Sequence, residues 1–94
     1  MTSMLTVAES VGEIMGAIAQ LRSAATVEGD RARRRSAEHL GARFDGITTA
    51  EDLRDAVRDG LRFYDGGMGS FQDADTSPVA AAIARLGESL RRAI

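Results

Sequence analysis

The 94-residue chain has no cysteine, no lysine and no tryptophan, and it has one proline and one histidine. Without cysteine there is no disulfide framework, no thiolate zinc site and no cysteine nucleophile. No HExxH motif and no second histidine accompany His39, and no GxSxG elbow is present for a serine nucleophile. We therefore expect a protein that is not an enzyme and that needs neither a metal nor another cofactor.

Long apolar runs and an excess of one charge are also missing. The chain contains twelve arginines and 14 acidic residues. Its formal net charge of −2 gives no net basic field that would attract nucleic acid or an anionic membrane. The apolar runs are shorter than the roughly 20 residues of a membrane span, and no basic segment precedes a leader-like run. We expect a cytoplasmic protein with no nucleic-acid, membrane or small-molecule partner.

Large apolar side chains are scarce. Hydrophobic residues make up 44% of the chain, but sixteen of them are alanine and only 4% of all residues are aromatic. Alanine favours helix strongly and buries little surface. We expect one domain over 1–94 with modest stability, which a protein partner or a second copy would increase by covering an apolar face.

Apolar residues recur at alternating spacings of three and four, which is typical of amphipathic helices. Ser3 or Thr6 can cap the first helix. Gly12 and Gly16, four apart, either weaken that helix or allow another helix to approach closely. The stripe of the first helix consists of Met4, Val7, Val11, Ile14, Ile18, Leu21 and Ala25.

Three further helices follow from the same pattern. A turn at 26–30 leads into a second helix that ends near Arg43, with Ala32, Ala37, Leu40 and Phe44 as a weak stripe. Thr48 with Glu51 predicts a capping box for a third helix, and Ser77-Pro78 predicts the start of a fourth. The inward rows are Leu53, Val57, Leu61 and Tyr64, then Val79, Ile83, Leu86, Leu90 and Ile94. The fold class is therefore all-α: a small antiparallel bundle of about four helices.

Charged residues cluster in the second and third helices. Arg31, Arg33, Arg34 and Arg35 point in several directions on a helix, so they favour a solvated, ion-paired face over a phosphate site. The acids of the third helix are interleaved with arginines, which indicates a surface rather than paired catalytic carboxylates. Those acids are Glu51, Asp52, Asp55 and Asp59.

A Gly-rich segment precedes the last helix. A phosphate cradle is disfavoured, because acids flank the segment and no cation lies between Arg62 and Arg85. Two interpretations stay open: an ordered chain reversal with Met68 and Phe71 buried, or a recognition surface. The candidate residues are Gly66, Gly67, Met68, Gly69, Ser70, Phe71 and Asp73.

The segments Leu61-Arg62-Phe63-Tyr64 and Gly66-Gly67-Met68-Gly69-Ser70-Phe71-Gln72-Asp73 resemble a segment shared by a family of small bacterial proteins of unknown function. The resemblance implies a bacterial origin and a short helical fold, and it implies no activity. This sequence departs from the family pattern by the additional Asp65 and by Gln72 in place of asparagine.

Two functional hypotheses follow. The first is a non-catalytic protein-interaction module, such as an immunity protein or an accessory subunit, that binds through its acidic third helix and the 65–75 loop. The alternative is a self-assembling helical protein that forms a homodimer through the first-helix stripe. The candidate dimer residues are Val7, Val11, Ile14, Ile18 and Leu21.

Overall fold

The computed structural model describes residues 6–62 and 78–93, which form four α-helices and no strand. The helices are α1 (Val7–Glu28), α2 (Arg31–Phe44), α3 (Ala50–Leu61) and α4 (Pro78–Arg92). The all-α bundle predicted from the sequence is thereby confirmed. Pro78 holds the first position of α4, as predicted. The predicted core residues Met4, Tyr64 and Ile94 lie outside the described residues.

The two ends of α1 are defined by hydrogen bonds of its flanking residues. At the start, Thr6 and Glu9 exchange side-chain to backbone hydrogen bonds of 3.1 Å in each direction, which is a capping box. At the end, Gly29 has φ 72° and donates its N–H to carbonyls of the last turn. The predicted turn at 26–30 is therefore wrong for 26–28, because the chain leaves the helix only where glycine permits a left-handed conformation.

The cap of α3 differs from the predicted one by a single residue. The Thr49 hydroxyl accepts the Asp52 N–H at 3.1 Å, and the helix begins at Ala50. The predicted capping box of Thr48 and Glu51 is therefore wrong. Both threonines have an acid three residues further along, so the spacing that suggested Thr48 fits Thr49 equally well.

Helix α1 is the centre of the bundle, with α2 and α4 antiparallel to it on two sides. Gly41 of α2 lies opposite Ile18, and Arg92 and Arg85 of α4 reach Glu13 and Gln20. Helix α3 makes smaller contacts with the other three helices. Phe44 is the largest of the fully buried side chains, which also include Ile14, Leu21, Leu40, Leu86, Leu90 and Val57.

The fold uses most of the first-helix stripe for its own interior. Ile14, Ile18 and Leu21 are buried, whereas Val7 and Val11 are half-buried against the same core. A homodimer through the whole stripe would therefore have to replace contacts that one chain already makes.

The glycines of α1 do not mark a close approach of helix backbones. A Cβ on Gly12 would face open space, and one on Gly16 would lie 3.4 Å from the Arg85 guanidinium. A tight side-chain contact occurs instead at Gly60 in α3, where a Cβ would lie 3.2 Å from the Leu90 side chain and 3.7 Å from the Leu40 side chain. That interpretation of Gly12 is therefore wrong.

Candidate functional site

The Gly-rich candidate segment lies outside the part of the chain that the structure describes. Its candidate residues are Gly66, Gly67, Met68, Gly69, Ser70, Phe71 and Asp73. The structure therefore bears on the other part of the hypothesis, the acidic third helix.

The outer face of α3 carries the predicted acidic residues. Leu53, Ala56, Val57 and Gly60 are buried, which fixes the rotation of the helix about its axis. Because the helix repeats every 3.6 residues, the opposite side is exposed. That exposed side carries Glu51, Asp52 and Asp55 together with Arg54 and Arg58, and its three acids are here called the acidic face.

Arginines neutralise the carboxylates of α3 to different extents. The Arg43 Nε lies 2.8 Å from the Asp59 Oδ2 and joins α2 to α3, and Arg62 lies 3.7 Å from the same carboxylate. The hydrogen bond from Arg43 lowers the pKa of Asp59, against a smaller opposing effect of burial, and nearby positive charges lower it further. The last acid of the line is thus bound to arginines of the chain itself.

The start of α3 lacks such neutralisation. Asp55 has only a long contact of 4.0 Å with Arg58, and both side chains are more than half exposed. Glu51 and Asp52 form no ion pair with any residue of 6–62 or 78–93. Both also occupy the first turn of α3, where the helix dipole favours negative charge. The acidic face is therefore a stable arrangement of accessible carboxylates.

A groove of about 490 Å³ lies between α1 and α2, and the sequence analysis did not predict it. Arg22, Glu38 and Asp45 provide its polar rim. The groove exists because two packed helices carry small residues at their contact, and the Ala and Gly content of these helices was the available signal. Its apolar lining is Met15, Ile18, Ala19, Ala37, Gly41 and Ala42.

Three arginines of α2 share one surface. Arg31, Arg34 and Arg35 line a shallow depression of about 280 Å³ together with Glu38, which also lines the groove. The four arginines of the run do not form one stripe, as predicted, because Arg33 turns away from the other three. Their spacing of i, i+3 and i+4 places them on one helix face.

Arg33 differs from the other arginines of this run. It turns back to the helix cap, where its guanidinium lies 2.8 Å from the Asp30 carboxylate. Burial alone would raise the pKa of Asp30, but the side-chain and backbone hydrogen bonds from Arg33 outweigh it and lower that pKa. Arg33 is therefore part of the cap of α2 rather than of the shared surface.

Polar contacts also link α1 to α4. The Glu28 carboxylate accepts the Val79 N–H at 3.1 Å, so the end of α1 satisfies a free donor at the start of α4. The predicted cap of this helix, Ser77, lies outside the described residues. The Arg92 guanidinium lies 3.3 Å from the Glu13 carboxylate. These contacts fix α4 against α1, which is a structural role.

Other kinds of site are not found in the described part of the chain. No group of three or more His, Cys, Asp or Glu residues is placed to hold a metal ion there. Over the same residues, none of the helices combines the length and the apolar character that crossing a bilayer requires. His39 is exposed, and its charge contributes to lowering the pKa of Asp59.

No protein-family model, no curated protein and no solved structure matches this chain. The resemblance of the Gly-rich segment to a bacterial family stays a prediction.

Proposed function

We propose that this chain is a non-catalytic protein-interaction module, an immunity-type or accessory partner, that binds a basic protein surface through its acidic face. The observation that supports this proposal is the exposure of Glu51 and Asp52 without an ion pair in the described residues. They stand on a helix whose other side is held in the core by Leu53 and Val57. The backbone that carries these side chains is already held by the core, so binding has to fix only the exposed side chains.

Electrostatics would direct the encounter rather than supply all of the affinity. An exposed ion pair contributes only about 0.2–1 kcal/mol, so several carboxylates and a fitting shape are needed for a stable complex. Complementary charge mainly raises the association rate and excludes partners of the wrong sign. The proposal includes the 65–75 loop as the neighbouring contact in the sequence, and it assigns the complex to the bacterial cytoplasm.

Affinity capture from the native cells, with a matched pair of variants, tests this proposal. We expect the wild type to recover one stoichiometric partner and Glu51→Gln/Asp55→Asn to lose most of it, because the replacements keep shape and remove charge. The control Arg54→Gln/Arg58→Gln alters the same helix and should retain the partner. Equal recovery by both variants, or recovery of no stoichiometric partner by the wild type, would contradict the proposal. A toxin-like gene beside the coding gene would favour the immunity type.

Self-assembly is the alternative proposal, and the surface for it is smaller than the whole first-helix stripe that the sequence predicted. Val7 and Val11 are half-buried, and they are the stripe residues that a second copy could still contact. Light scattering at several protein concentrations distinguishes the two proposals, since a dimer that Val7→Ser weakens would favour self-assembly.

A further inference from the structure

We propose that the surface shared by α1 and α2 is a second binding site, whose partner is an acidic amphipathic helix of another protein. This surface, here called the hairpin face, consists of the groove and the adjoining depression lined by Arg31, Arg34 and Arg35. It does not depend on the acidic face of α3, so either proposal can fail without the other.

The groove has the properties that a docked helix needs. It lies between two antiparallel helices, and the side chains at its edges are small at Ala19, Gly41 and Ala42. Small side chains let a third helix approach to an interaxial distance of roughly 8–10 Å. Met15, which is half-buried, supplies apolar contact, and methionine adapts readily to the shape of a partner. A row of medium-sized apolar side chains on the incoming helix would fit this groove.

The charge of the hairpin face indicates the sign of the partner. Arg31 and Arg35 form no ion pair within the described part of the chain, and the Arg34 guanidinium is 3.9 Å from the Glu38 carboxylate. The one acid at the start of α2, the N-cap Asp30, is paired with Arg33, and the first turn adds no further acid although the helix dipole favours negative charge there. Carboxylates of a partner would therefore improve the electrostatics of α2 itself.

The two parts of the face together favour a protein helix over nucleic acid. Glu38 lines both parts, so apolar and cationic surface are continuous. A nucleic-acid strand would use the arginines and leave the apolar groove empty. Single-strand binders also stack bases on aromatic side chains, and the aromatic residue of α2, Phe44, is fully buried. An amphipathic helix with acidic residues at one end satisfies both parts.

A designed peptide tests this inference directly. The probe is a fluorescently labelled helical 16-mer with leucines along one face and four glutamates at one end, and binding is measured by anisotropy. We expect saturable binding with a dissociation constant below about 100 µM. We expect Arg31→Glu/Arg35→Glu to weaken it about tenfold or more, because both cations are lost. The control Arg54→Glu/Arg58→Glu makes the same change in net charge elsewhere and should bind normally.

A second variant pair tests the groove. Ala42→Arg should obstruct the groove and abolish peptide binding, and Ala84→Arg, at an exposed alanine of α4, should not. Circular dichroism verifies that each variant folds, and Ala19→Arg replaces Ala42→Arg if that variant does not.

Three results would overturn the inference. The first is the absence of peptide binding at about 1 mM. The second is tighter binding of a single-stranded oligonucleotide that the arginine variant weakens and Ala42→Arg does not. The third is a homodimer that both variants dissociate, since a second copy would then be the natural occupant.

Discussion

Gly12 and Gly60 both lie inside helices, and their surroundings differ. A Cβ on Gly12 would face open space, whereas a Cβ on Gly60 would lie 3.2 Å from Leu90. The first glycine therefore only weakens its helix, and the second permits α3 to pack against α4. Sequence spacing cannot separate these two cases, because it contains no information on which helix lies opposite.

Replacing each glycine by alanine should separate the two roles. Gly12→Ala should raise the free energy of unfolding by about 0.5–1 kcal/mol, because alanine loses less backbone entropy in a helix. Gly60→Ala should raise the free energy of unfolding by less than Gly12→Ala, or lower it, since overpacking a core costs about 1–3 kcal/mol. Chemical denaturation monitored by circular dichroism measures both values. A Gly60→Ala variant as stable as Gly12→Ala would show that the Leu90 side chain does not pack so tightly against Gly60.

At the scale of the helices, the sequence predicted the elements well and their ends less well. The periodic rows Ile14, Ile18, Leu21 and Leu53, Val57 lie in the core as expected, because an amphipathic row has no other place to bury its apolar side. To predict the end of α1 correctly, one must know which residue takes the left-handed conformation at the C-cap. To predict the start of α3 correctly, one must choose between two adjacent threonines, each of which has an acid three residues further along.

Those two threonines provide a matched test of the cap. Thr49→Ala should lower the free energy of unfolding by about 1 kcal/mol, because the Asp52 N–H loses its acceptor. Thr48→Ala should change it by less than about 0.5 kcal/mol, as is usual for exposed positions without such a bond. Thermal unfolding of both variants gives the comparison. A larger effect at Thr48 would place the start of α3 one residue earlier.

Contacts between helices were beyond the reach of sequence reasoning. Arg43 with Asp59 and Glu28 with Val79 join residues 16 and 51 positions apart, and no local pattern pairs them. The groove between α1 and α2 likewise exists only once both helices are packed. By contrast, the grouping of Arg31, Arg34 and Arg35 could have been predicted from their spacing alone.

At the scale of the whole molecule, a net charge of −2 conceals two surfaces of opposite sign. Helix α2 carries five arginines and one glutamate, whereas α3 carries four acids and two arginines. The composition correctly indicates that no single sign of charge dominates the whole surface. It does not show that positive charge is concentrated on α2 and negative charge on α3. The chain is therefore a small helical scaffold that presents charged surfaces of opposite sign, and we propose the acidic face as its first binding site.

Titration of the captured partner into the isotopically labelled chain, followed by NMR amide shifts, tests this central claim most directly. We predict that the largest shifts fall on Glu51, Asp52, Asp55 and their neighbours at the start of α3. Smaller shifts on the hairpin face are compatible with a second contact. Shifts confined to the exposed side of α4, around Ala81, Ala84 and Glu88, would contradict the account.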